Sequence, residues 1–409
     1  MSISVREIIR ELKKNIEILL DLAFSAVSFY NPDIASEARK IEKIIHNLNY
    51  KLNSRLIQAN YMSDREARSM EPIVVFGYSV DKIADALADI SSTVSLANLT
   101  EIYAYIWKFI PEPIAKLIIN EKCPYINKNF DKMHFRATFN ADIVALIRNE
   151  RVILDNEFKI QKGDKFLIRS DIETLEWIKN EFKDESSFIK VKKVEKDGSE
   201  ASKKAEMIAE LIKHDYISMY VMTETMVELA FSSILFSNKE IADDVIEMED
   251  KMDRDNLNFE RNLLKHIKNI ENPDDLVGLM RIVYCLENIS DACANIAEMV
   301  KAGGTTHPIF SLAFSESSEV IIKDAIKKGS PVIGKALEFV EEPEVSGAFE
   351  VLAIYRDNDW LYNIPDEFIF KEKDVLIAQG PKESELRWRK LLNPKYPDED
   401  DEEESDEDS

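Results

Sequence analysis

The chain has 409 residues, a formal net charge of -24 and 45% hydrophobic residues. That length calls for several domains rather than one core, and so acidic a chain disfavours nucleic-acid binding, which needs cations against phosphates. No apolar run reaches the roughly 18 residues of a membrane span, and the opening Met1-Ser2-Ile3-Ser4-Val5-Arg6-Glu7 is charged too early for a signal peptide. Three cysteines, Cys123, Cys285 and Cys293, match no zinc or redox spacing and read as reduced thiols of a cytoplasmic protein.

Residues 4–29, 33–60 and 65–98 carry apolar side chains at three- and four-residue spacing with few glycines, which predicts three helices. Asn31-Pro32-Asp33 is a turn leading into a helix start. Short turns between antiparallel helices make a three-helix bundle. The period then changes. Phe135–Phe139, Ile143–Ile147, Arg151–Leu154 and Lys165–Ile168 are short runs separated by turns, predicting strands of a small α+β module. A polar linker, Glu195 to Ser202, follows. Helical patterns return at 204–236, 239–269 and 274–301, with Ile241, Val245, Met248, Met252, Phe259 and Leu263 as one apolar stripe. Strand patterns return at Phe349–Ile354, Trp360–Tyr362 and Val375–Ala378. Ten acids crowd the last twelve residues, Asp398 to Ser409, the composition of a solvated, disordered tail.

The order repeats because the residues do. A shift of 207 lays Leu22-Ala23-Phe24-Ser25 on Leu229-Ala230-Phe231-Ser232, Asn31 on Asn238, Glu42 on Glu249, and Pro124, Ile126 and Lys128 on Pro331, Ile333 and Lys335. A shift of 206 lays Asp81, Ile83 and Asp85 on Glu287, Ile289 and Asp291. A duplication that keeps polar positions predicts that the chain builds within itself what a smaller relative would build as a homodimer.

The recurring acids come in pairs one helical turn apart: Glu17 with Asp21, Glu42 with His46 and Asp81 with Asp85, then Glu224 with Glu228, Glu249 with Asp253 and Glu287 with Asp291. An i,i+4 pair shares a face and can share a cation. Several oxygen ligands with His46 could hold iron, zinc, manganese or magnesium; a solvated polar face accounts for the same pattern. The other histidines have no nucleophile at a useful spacing, and Ser25 and Ser232 have no base, so no catalytic constellation is expected. No G-x-G-x-x-G or G-x-x-x-x-G-K-[ST] occurs among only ten glycines, so no NAD or ATP site of those kinds is expected.

Glu287-Asn288-Ile289-Ser290-Asp291 followed by Asn295-Ile296-Ala297-Glu298 resembles the third helix of the phosphate-uptake regulator (PhoU) family, and Asp81 to Ile90 resembles it more loosely. The second module resembles the ligand-binding domain of potassium-channel regulators, the TrkA-C or RCK-C type. The resemblance lies in Gly334-Lys335-Ala336-Leu337, Ile354-Tyr355-Arg356, Pro365 and Lys373-Asp374-Val375-Leu376. The first module keeps Lys128, Arg148 and Gly163-Asp164, has Asn127 in place of the glycine and lacks the proline. These resemblances imply an α+β multidomain chain: a PhoU-like bundle at 1–100, an RCK-C-like module at 101–190, a second bundle at 200–303, a second module at 308–393 and the tail at 397–409. They imply metal at the acid pairs, as in some PhoU members. They also imply a ligand cleft lined by Val332, Ile333, Lys335, Arg356 and Pro365, and by Ile126, Lys128 and Arg148 in the first copy, which cyclic di-AMP occupies in some relatives.

The expected protein is a non-enzymatic cytoplasmic regulator, without a required cofactor or nucleic-acid partner. It would sense a small ligand or ion and act on a membrane potassium (cation) channel or transporter subunit, peripheral to the membrane through that partner and open to homo-oligomerisation. The second expectation is a metal-binding, PhoU-like adaptor of phosphate transport.

Overall fold

A computed structural model describes residues 3–29, 31–58, 68–95, 114–133, 135–149, 151–153, 158–184, 200–235, 237–266, 274–303, 309–310, 313, 319–356, 359–361, 364–365 and 367–397. The polar linker up to residue 199 and the acidic tail from Asp398 lie outside them. The protein is a helix-rich α+β chain carrying two small antiparallel sheets. It divides into two compact units: Met1–Tyr216 with Met252–Asn295, and Ile217–Lys251 with Ile296–Ser409. The division runs through the stretch read from sequence as one bundle at 200–303. Its first helix alone has 36 residues, about 54 Å of helix, too long for one small core to cover.

In the first unit, α1 (Val5–Ser28), α2 (Pro32–Gln58) and α3 (Glu71–Ser92) pack against one another. Helix α1 starts at a capping box: Ser4 Oγ accepts from Glu7 N, and Glu7 Oε2 accepts from Ser4 N. Helix α2 is capped by Asn31, whose Oδ1 accepts from Asp33 N and Ile34 N at 3.1 and 3.2 Å. Along α1, Ile8, Leu12, Ile16, Leu19 and Ala23 are fully buried, the three- and four-residue spacing of a core stripe.

The first module follows as β1 (Ile114–Ile118), α4 (Phe135–Phe139), β2 (Asp142–Arg148), β3 (Arg151–Ile153), β4 (Lys165–Arg169) and α5 (Ile172–Glu181). Its sheet order is β1-β4-β2-β3, antiparallel throughout, with a register shift between Ile143 and Ala145. Phe135–Phe139, read from sequence as a strand, is a short helix. A five-residue aromatic run suits either state. The i,i+4 spacing puts both Phe135 and Phe139 into the module core with ring centroids 4.7 Å apart, and a strand would also have matched their shared face only at even spacing. Strand β1 was not legible, because Lys116 interrupts its apolar run.

Helices α6 (Glu200–Leu235), α7 (Lys239–His266) and α8 (Asp274–Lys301) follow. All six residues of the α7 stripe, Ile241 to Leu263, are at most 2% exposed. Asn238 caps α7 as Asn31 caps α2, accepting from Glu240 N at 2.9 Å and Ile241 N at 3.2 Å. This accounts for the recurring asparagine. Within the first unit, Asn262 Nδ2 donates to Asp215 Oδ2 at 3.2 Å, joining α7 to α6.

The second unit holds the other module: β5 (Glu319–Ala325), α9 (Leu337–Glu341), α10 (Pro343–Ser346), β6 (Glu350–Arg356), β7 (Asp359–Leu361), β8 (Val375–Pro381) and α11 (Glu385–Leu392). Its sheet order is β5-β8-β6-β7, with a register shift between Val351 and Ala353. The strand order and the place of the bulge thus match the first module. Trp388 is fully buried, stacked on Phe349 at 5.0 Å.

Candidate functional site

Two of the expected acid pairs meet. Glu42 and His46 on α2 face Asp81 and Asp85 on α3. His46 Nδ1 lies 2.8 Å from Asp81 Oδ1, and His46 Nε2 lies 3.2 Å from Asp85 Oδ1 and 3.5 Å from Glu42 Oε1. One ligand atom from each of Glu42, His46 and Asp85 falls within 4.8 Å of the others. Burial pulls the His46 ring towards neutrality, but the hydrogen bond to Asp81 and the charges of Asp81, Asp85 and Glu42 outweigh it, so its pKa is raised above 6.5. Burial raises Asp85; the His46 charge opposes this, and Asp81 and Asp89 add to it.

The pair Glu17 and Asp21 is used elsewhere. Glu17 pairs with Lys13 and, at 3.7 Å, with Lys14, while Asp21 pairs with Arg169 on β4. Of the remaining acids, Asp253 on α7 and Glu287 and Asp291 on α8 lie in the first unit, whereas Glu224, Glu228 and Glu249 belong to the second. Asn256 Nδ2 donates to Glu287 Oε2. Burial raises the Glu287 carboxyl, and the charges of Asp253, Asp291 and Glu260 raise it further. Burial raises Asp291 too; the charge of Lys82 lowers it and that of Asp253 raises it further. No histidine joins this group among the described residues. Tyr220 OH donates to Glu224 Oε1 at 3.0 Å.

In the modules, Lys335 and Lys128 occupy matching exposed turns. Gly334 and Asn127, just before them, both adopt left-handed backbone, φ +79° and +65°. Asparagine is the residue best able to replace glycine there. Lys335 Nζ sits 4.9 Å from the Phe339 ring and Lys128 Nζ 4.6 Å from the Tyr125 ring. Among the described residues neither lysine has an ion-pair partner. Ile333, Phe339 and Ile369 are exposed beside Lys335, and Ala336 bridges to Ile369. Val332 is buried, Ile126 is half-buried and Pro365 is exposed.

Arg356 and Arg148 are held inside their modules. Arg356 donates through Nε and Nη2 to Asp374 at 2.7 and 2.6 Å and to Ile369 O at 2.8 Å. Arg148 repeats this with Asp164, at 2.7 Å twice, and with Lys159 O at 2.8 Å. Such forked pairs fix the last turn before β4 and β8.

One repeated device escaped the sequence reading. Lys116 on β1 reaches the buried Glu37 of α2 at 3.2 Å, and Lys323 on β5 reaches the buried Asp244 of α7 at 2.6 Å. Each pair ties a sheet to a long helix of the same unit. Its signal was available, since Lys falls on Lys and acid on acid at the same shift of 207. Ser25, set aside as a nucleophile, accepts from Ile114 N at 3.0 Å and so ties α1 to β1.

Residues 216–300 match the PhoU domain family model. No curated protein matches the chain. Among solved structures, PhoU from Pseudomonas aeruginosa is similar at 12% identity and a TM-score of 0.38, over 72% of this chain and 93% of that one. The GsuK RCK domain is similar at 11% identity and a TM-score of 0.18, over 70% of this chain and 64% of that one. The GsuK channel bound to NAD gives 11% and 0.18, over 70% and 53%. This chain therefore spans less than two thirds of those two GsuK chains.

Proposed function

We propose that this protein is a non-enzymatic cytoplasmic regulator, an internal duplication of a PhoU-like bundle and an RCK-C-like module, that senses a small anionic ligand and regulates a membrane cation channel or transporter. The observation that carries the sensing step is the exposed edge at Lys335. A cation on a glycine turn stands among the exposed apolar side chains of Ile333, Phe339 and Ile369, with no acid of its own module to neutralise it among the described residues. Asp374, the buried acid of that edge, is already satisfied by Arg356. Apolar side chains can cover a purine while the ammonium meets its phosphate. The PhoU domain match supports a regulatory role for the helices. Among the described residues no helix is long and apolar enough to cross a membrane.

Calorimetry with cyclic di-AMP, ATP and AMP tests this reading. Lys335→Ala should weaken binding by about 1–3 kcal/mol, the scale of one charge-assisted hydrogen bond. Lys128→Ala should cost less, because its edge has Asn127 and no proline. No heat from any nucleotide would leave the modules without a sensing role, and equal losses from both lysines would contradict the asymmetry.

The second reading, a metal-binding adaptor of phosphate transport, is favoured by one specific observation, the Glu42–His46–Asp85 group. The donor set fits a divalent ion. Asp81 holds His46 Nδ1, which leaves Nε2 facing two carboxylates, the usual outer-shell support of a ligating imidazole. Mixed nitrogen and oxygen donors suit iron, manganese or zinc. A bound ion would neutralise carboxylates that otherwise repel one another across α2 and α3. Elemental analysis of the purified protein, with His46→Ala beside it, tests this. Metal that survives the substitution would place the site elsewhere.

A further inference from the structure

The first unit exposes large apolar side chains, and they recur. At the shift of 207, Tyr50 and Ile57 on α2 correspond to Leu257 and Leu264 on α7. At the shift of 206, Val74 and Tyr78 on α3 correspond to Met280 and Tyr284 on α8. All eight are exposed, from 44% at Met280 to 82% at Ile57. Single exposed apolar residues are ordinary. Eight at equivalent positions on two helix pairs are not what scattered exposure predicts, and shared exposed patches mark interaction surfaces.

These residues share their helix faces with the acids. A helix turns about 100° per residue, so Glu42, His46, Tyr50 and Ile57 fall within about 80° of one another, as do Val74, Tyr78, Asp81 and Asp85. The same holds for Asp253, Leu257, Glu260 and Leu264 on α7. Helices α3 and α8 adjoin: Arg281 Nη2 donates to Asp89 Oδ1 at 3.0 Å, and Lys82 stands in the field of Asp291. Glu42, Asp81 and Asp85 on α2 and α3, and Asp253, Glu260, Glu287 and Asp291 on α7 and α8, make these faces rich in carboxylates and the field along them negative.

We propose that the α2–α3 and α7–α8 faces are two equivalent docking surfaces for a cationic amphipathic helix of a partner protein. The apolar residues at helical spacing would take the partner's apolar stripe, and the flanking carboxylates its Lys and Arg residues. Charge excludes the competing occupants. A second copy of a chain of net charge -24 would bring acid face to acid face, and anionic lipid headgroups would be repelled by the same carboxylates. Tyr78 and Tyr284 are the expected anchors, since tyrosine concentrates interface energy. The inference rests on the regulatory reading only for what kind of protein carries the helix. Nucleotide binding at Lys335 can fail without affecting it.

The test uses the full chain, stripped of metal with a chelator, and a Leu/Lys peptide whose leucines form one helical stripe. Its controls are a scrambled peptide of the same composition, phosphatidylglycerol vesicles, and sedimentation of the protein alone. The expected result is binding of the striped peptide about tenfold tighter than the scrambled one, and a loss of about tenfold in Tyr78→Ser/Tyr284→Ser. Ile57→Ser/Leu264→Ser should show the same direction, and it keeps the test open if the tyrosine variant misfolds. Equal affinity for both peptides, or no loss in either double variant, overturns the proposal. So does tyrosine-dependent self-association, or tyrosine-dependent binding to the vesicles.

Discussion

Replacing Arg356 separates a structural arginine from a ligand-binding one. Asp374 is 2% exposed in its side chain and accepts from Arg356 Nε and Nη2 and from Lys371 N at 2.6 Å. The Arg356 guanidinium also lies 4.2 Å from the centre of the Phe368 ring. Arg356→Ala leaves a buried carboxylate with a single backbone donor, a loss of about 3–5 kcal/mol for a broken buried pair. Arg356→Lys keeps the charge but forfeits the fork and the bond to Ile369 O, and should cost about 1–3 kcal/mol. Arg356→Met with Asp374→Asn removes both charges and should recover much of the alanine loss. A chain with two units need not unfold in one step, so the readout must be local. Trp388, buried against Phe349 in the same module, supplies it in urea titrations of a protein whose other three tryptophans are Phe. An unchanged midpoint in Arg356→Ala, together with lost nucleotide binding, would refute the structural reasoning and return Arg356 to the ligand edge.

Lys323→Met should destabilise the second unit by about 3–5 kcal/mol by stranding the buried Asp244, with partial recovery in Asp244→Asn/Lys323→Met; a double variant no better than the single would contradict the ion-pair account. His46 should titrate above 6.5 by NMR, because its carboxylate partners outweigh burial, and Asp81→Asn should lower that midpoint. A folded pKa raised above the unfolded value contributes stability that is complete below pH 6.5 and is lost as pH rises through the folded value. Melting temperature should therefore fall across that window in wild type and less in His46→Ala. If metal binds at Glu42, His46 and Asp85, its affinity should drop as pH falls through the His46 midpoint, since the proton and the ion compete for Nε2; a pH-independent affinity measured by titration would place the ion elsewhere.

The six long helices were legible because three- and four-residue apolar spacing over twenty or more residues has no other use in a globular chain. Asn31 was legible as a turn, and Asn238 as its match at the shift of 207, because a helix cap depends on the residues next to it in sequence. Strands β2, β3, β4, β6, β7 and β8 were legible from their β-branched runs. Strands β1 and β5 were not, because each carries a lysine whose reason lies in another element: Lys116 needs Glu37, and Lys323 needs Asp244. Phe135–Phe139 was misread because a run of five residues is shorter than the periods that distinguish helix from strand.

The acid pairs were all visible as i,i+4 spacings, and spacing alone gave them equal weight. Tertiary structure decided among them. It brought Glu42, His46, Asp81 and Asp85 together across α2 and α3, sent Asp21 to Arg169, and gave Arg148 and Arg356 buried aspartates of their own. Sequence reports what one helix face offers, since that depends on a fixed turn per residue. Which charge that face meets depends on residues 35 positions away, as for His46 and Asp81, or 148 away, as for Asp21 and Arg169. Only the packing of helices and sheets closes those distances.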